Sequence, residues 1–135
     1  MDELKDLVKE YVKWKDRYKA KEEALERMDR DMRKRVCMKY DKLLKQLPKD
    51  FVFDNFWIGN TRILIKDGQI WIGRATIEEA PINKIAELYL KYDDIKSKIE
   101  EQLRHDIEEY KNKCDEIMKE IKFLYEFLDG MSNDY

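Results

Sequence analysis

The sequence predicts a mostly α, α+β fold: a long antiparallel helical hairpin of coiled-coil type, with a small three-stranded antiparallel β-meander inserted between its helices. Three observations predict it. Apolar residues recur at alternating steps of three and four near both ends of the chain, the period changes to two within residues 51–76, and Asp67-Gly68 punctuates that middle stretch as a hairpin turn.

The first helix is expected over residues 2–47. Its stripe reads Leu4, Leu7, Tyr11, Trp14, Tyr18, Leu25, Met28 and Met32, with Lys21 as a polar interruption. From Met32 the steps to Val36 and Tyr40 are both four residues, and Leu43 and Leu47 then restore the alternation, which is a coiled-coil stutter. Leu47-Pro48 stops the helix, because proline pushes the preceding residue out of the α region.

The second helix is expected over residues 80–129. Pro81 suits the first turn and Gly130 suits the position just past a C-terminus. Its stripe runs Ile85, Leu88, Tyr92, Ile95, Ile99, Leu103, Ile107, Tyr110, Cys114, Ile117, Ile121, Leu124 and Leu128, with two steps of four between Ile99 and Ile107. Each helix would span roughly 70 Å at a rise of 1.5 Å per residue. Helices of equal reach that fold back on each other bring together residues whose numbers add to about 130, and Met32 with Ile99 then sets one stutter near the other.

Between the helices the chain gains Trp, Phe and Ile with alternating polarity, the pattern of strands. Gly59-Asn60 and Asp67-Gly68 are the two turns. Pairing across them sets Phe56 and Ile72 against Ile63, and Ile70 against Ile65, so one face is Phe56, Ile58, Ile63, Ile65, Ile70 and Ile72. The opposite face carries Phe53, Trp57, Leu64 and Trp71, with Arg62 and Lys66 beside them. Both faces are apolar, although one helical hairpin tip covers only one of them.

Composition narrows the function. The 135 residues suit one domain, 1–135, and 28 basic against 30 acidic residues leave a net charge of -2. No whole-molecule field draws the chain to nucleic acid or anionic lipid. No stretch approaches the roughly 18 apolar residues of a membrane span, and Met1 leads directly into a charged helix, so a cytoplasmic protein is expected. Cys37 and Cys114 are far apart and unaccompanied, His105 is the only histidine, and Gly59, Gly68, Gly73 and Gly130 build no phosphate loop. The reading is therefore of a non-enzyme without metal or cofactor.

Three surfaces remain as candidates. The Trp57, Leu64 and Trp71 face, with Phe53, Arg62 and Lys66, suits a protein partner, because apolar patches edged by cations mark interaction sites. Val8, Val12, Met118, Phe123, Tyr125 and Phe127 lie outside the stripe near the open end and suit self-association, as a homodimer or higher oligomer. The run Arg27, Arg30, Arg33, Lys34 and Arg35 is the place for an anion, a nucleotide or a nucleic acid, a reading that the near-neutral charge disfavours.

The order of helix, β region and helix with a coiled-coil stem resembles that of prefoldin β-type subunits. That resemblance implies client contacts at the free helix ends, which here are Val8, Val12, Phe123 and Phe127. Three strands and two tryptophans on the second sheet face depart from the pattern. The expected function is that of an interaction or scaffolding protein, whether chaperone-like, an adaptor or a phage-type inhibitor of a host enzyme.

Overall fold

A computed structural model describes residues 2–133. The fold is mostly α with a three-stranded antiparallel sheet between the first and second helices, as the sequence predicts. By its internal contacts the chain divides into two compact units, Met1–Asp93 and Asp94–Tyr135.

The first unit opens with α1 (Asp2–Gln46), whose first turn carries Asp2 and Glu3 and whose last turn carries Lys45, charges that oppose the helix dipole at each end. Val36, Tyr40 and Leu43 follow the helical repeat and are buried. A turn from Leu44 to Leu47 and another from Pro48 to Phe51 lead the chain into the sheet.

The meander consists of β1 (Phe53–Ile58), β2 (Thr61–Lys66) and β3 (Gln69–Ile72), in that order. Its register is the expected one, with Ile63 opposite both Phe56 and Ile72, and Ile65 opposite Ile70. Asp67 and Gly68 both take positive φ, 54° and 73°, which is the type I′ geometry whose twist matches that of the strands. Ile58, Ile63, Ile65, Ile70 and Ile72 are buried on one face.

Phe53 departs from expectation. The pairing shifts register between Phe53 and Phe56, so Phe53 stands opposite Ile65 on the core face and is buried there. An extra residue in a bulge reverses the alternation for everything before it. Phe53 therefore belongs to the core and not to the face that carries Trp57, Leu64 and Trp71.

After β3 the chain folds over residues 73–80, burying Ile77 and Ala80, and enters α2 (Ile82–Leu90) with Pro81 as its N-cap. Helix α2 packs against α1 and β1, and buries Ile85 and Leu88. The long second helix expected over 80–129 is interrupted. Lys91 adopts φ -91°, ψ 6°, and a new helix begins at Tyr92. Neither glycine nor proline marks this break; Asp93 and Asp94 in the first turn of the next helix favour a fresh N-terminus there.

The second unit is the body of α3 (Tyr92–Asn133), in which Ile95 and Ile99 are buried. Gly130, expected to follow the helix end, lies inside α3 instead. The expected burial of the stripes stops partway along both helices. Leu4, Leu7, Tyr11, Trp14, Tyr18, Leu25 and Met28 of α1 are exposed, as are Ile107, Tyr110, Ile117, Ile121, Leu124 and Leu128 of α3.

Candidate partner-binding surface

The second face of the meander is formed by the residues that alternate with the isoleucines of the core. Trp57 on β1 is paired with Arg62 on β2, and Leu64 on β2 is paired with Trp71 on β3. Trp57 keeps 58% of its surface exposed, while Leu64 and Trp71 are half-buried side by side. Strand alternation thus places two indole rings and a leucine on the face of the sheet opposite its buried isoleucines.

Arg62 is held in place. Its Nε donates to the Asp54 carbonyl at 2.8 Å and its Nη2 lies 3.1 Å from Asp54 Oδ2. The guanidinium is thereby paired with Asp54 at a half-exposed position whose cross-strand partner is Trp57. Lys66 is exposed at the far end of β2, opposite Gln69.

The chain matches no protein-family model, no curated protein and no solved structure.

The other two candidate surfaces fare differently. Val8, Val12, Met118, Phe123, Tyr125 and Phe127 are all exposed, together with the stripes they flank. The basic run of α1 is divided in its employment. Arg33 turns inward: its Nη1 lies 3.1, 3.0 and 2.6 Å from the carbonyls of Ile77, Glu78 and Ala80, and its Nε lies 2.5 Å from Asp29 Oδ1. It serves as a clamp on the loop before α2, satisfying carbonyls that would otherwise be left without donors. Arg27, Arg30, Lys34 and Arg35 stay exposed. Lys39, farther along α1, sits over the rings of Tyr89 and Tyr92 at 4.6 and 4.5 Å, a cation–π pair of contacts. Sequence reasoning missed Arg33's role because its partners lie 44 to 47 residues away.

Tyr40 was legible only as part of a stripe. Its hydroxyl donates to the Leu88 carbonyl at 2.7 Å, and its ring meets Tyr92 edge-on at 5.2 Å. Burial chiefly, then the neighbouring Tyr92 and Asp93, pushes its ionisation well above the usual tyrosine range. A shallow, open pocket of about 300 Å³ borders it, lined by Cys37, Asp41, Gln69, Ile70 and Thr76 among others.

On α3, ligand-type atoms of His105, Asp106 and Glu109 lie within 4.8 Å of one another at the surface. Exposed acidic groups commonly cluster so on helices without an ion. Among the described residues, no helix is long and apolar enough to cross a membrane.

Proposed function

We propose that the protein is a non-catalytic, oligomeric interaction protein that docks a protein partner on the outer face of its β-meander. One observation carries this reading: Trp57 is open to solvent next to the Leu64–Trp71 pair, on a sheet whose opposite face already holds a closed core. Tryptophan at the centre of a small apolar patch is the side chain that most often anchors an interface, because it removes a large area from water at the cost of few rotatable bonds.

The edges of the patch define what fits. Arg62, fixed by Asp54, and Lys66 set cations at its rim, so the complementary partner offers an apolar side chain flanked by carboxylates. Rim charges of this kind govern selectivity and association rate more than affinity.

The test is affinity purification from the native cell with the natural protein and the Trp57→Ala, Trp71→Ala double variant side by side. A partner retained by the first and lost by the second, with unchanged melting and oligomer size, is the expected result. A double variant that is insoluble or changes its assembly would show that these rings hold the protein itself together, and the docking reading would fall.

A further inference from the structure

Strand β3 lies at one edge of the sheet, paired with β2 on a single side, whereas the other outer strand, β1, packs against α2. A hydrogen bond from the Gly73 amide to the Arg62 carbonyl fixes which residues of β3 turn their backbone groups to β2. Bonded and non-bonded pairs alternate along an antiparallel ladder, so Gln69 and Trp71 face β2, while Ile70 and Ile72 turn their N–H and C=O outward. The outward groups of Ile72 are taken: its amide donates to the Ala75 carbonyl at 2.8 Å, and its carbonyl accepts from the Ala75 amide at 3.2 Å. Those of Ile70 have no protein partner among the described residues.

A groove of about 300 Å³ lies along this edge, and all of its lining residues belong to the first unit. Cys37, Tyr40, Asp41 and Leu44, spaced by three and four residues, are one face of α1 and form one wall; Gln69 and Ile70 belong to the other. Residues 76–78 complete the lining, and Arg33 holds them in shape by donating to the carbonyls of Ile77 and Glu78. Past Gly68 the groove runs on to Leu47, Lys49 and Asp67, a length that suits an extended chain better than a compact ligand. Edge strands are commonly blunted by charged residues or proline, and β3 carries neither.

The free backbone groups and the charge define the occupant. A chain laid beside Ile70 exchanges two hydrogen bonds with it, and the residue that makes them has its side chain on the same face as Ile70, toward Tyr40, Leu44 and Ile77. Helix α3 does not supply these bonds, because a helix uses its N–H and C=O groups on its own ladder. Another copy of β3 does not fit either, since its edge is bordered by its own α1 and the groove has room for a strand alone. At the Ile70 end the lining holds two carboxylates, Asp41 and Glu78, and no cation. Lys45 bridges Asp41 at 2.9 Å, and Glu78 has no ion pair among the described residues. We infer that the groove takes a basic, extended segment of a partner protein as a fourth strand, with an apolar residue paired to Ile70 and lysine or arginine side chains drawn to Glu78. This site stands apart from the outer face that carries Trp57.

The test is titration of the isotope-labelled full chain with a short capped peptide of alternating valine and lysine, read by backbone amide resonances and hydrogen exchange. The Ile70 amide should shift and exchange more slowly. The same peptide methylated at every valine nitrogen, which removes the N–H that meets the Ile70 carbonyl, should leave it unchanged. Glu78→Lys, at an exposed position, should melt as the natural protein does and bind the peptide about two- to fivefold more weakly. Trp57→Ala should bind it as the natural protein does, which separates this site from docking on the outer face. An Ile70 amide that does not respond to millimolar peptide would overturn the inference, as would equal binding of the methylated peptide or of a valine–glutamate counterpart. An Ile70 shift that grows with protein concentration alone would make a second copy the occupant, and shifts confined to Trp57, Leu64 and Trp71 would put the peptide on the outer face; either result overturns it.

Discussion

The Tyr40 hydroxyl donates to the Leu88 carbonyl at 2.7 Å, joining α1 to the last turn of α2, one turn before the chain breaks at Lys91. Tyr40 is fully buried, so this bond replaces the water that its hydroxyl loses on folding. The Tyr40→Phe variant should be destabilised by about 1 kcal/mol at neutral pH, as read by urea unfolding. The same residue predicts an alkaline limit. Its native ionisation is raised above the ordinary value of 10.0, so the unfolded chain loses this proton first as pH rises. The stability contributed by the neutral phenol is complete below pH 10 and declines above it, by about 1.4 kcal/mol per pH unit until the native group ionises. Tyr40→Phe should therefore show a shallower loss of stability above pH 10 than the natural protein; equal slopes would refute the assignment.

Arg33 should matter to stability where its neighbours do not. Its side chain is 21% exposed and its Nη1 is shared among three carbonyls of the loop before α2. Arg33→Ala is expected to cost about 2 kcal/mol, because those carbonyls lose a charged donor. Arg30→Ala, at an exposed position of the same helix, should stay within about 0.5 kcal/mol. Thermal melts of the two variants side by side decide this.

The two faces of β2 should respond to different extents. Ile65→Ala empties a fully buried site on the core face and should cost about 2 to 5 kcal/mol. Leu64→Ala, on the half-exposed outer face, should cost roughly 1 kcal/mol from lost apolar burial. Equal losses in denaturant titrations would mean that the outer face is also core.

The turn at Gly68 isolates backbone strain from packing. Its φ is +73°, and a Cβ added there meets nothing within 4 Å. Gly68→Ala should therefore cost about 1 to 2 kcal/mol from left-handed geometry alone. Gly68→Asn should cost less, because asparagine tolerates that region better. A melt in which the asparagine variant is the worse of the two would contradict this account.

The sequence by itself determined the first helix, the three strands and the pairing of those strands. Period-two alternation together with Asp67-Gly68 set the register of Ile63 with Ile72 and of Ile65 with Ile70, because a two-residue turn leaves no freedom to slip. The three-four spacing marked a helix over residues 2–47 with Leu47-Pro48 as its stop, and α1 runs Asp2–Gln46. Phe53 was assigned to the wrong face because a bulge inserts a residue without any compositional trace, and the break at Lys91 was missed because neither glycine nor proline marks it and the apolar stripe runs on through it. Arg33's carbonyls and Tyr40's acceptor were beyond local pattern, since they come from residues more than forty positions away. Only the tertiary structure decided where the core ends. Spacing states which side of a helix is apolar, whereas cover depends on what lies against it: within the first unit the α1 stripe is buried at Val36, Tyr40 and Leu43, on the helix that packs with α2.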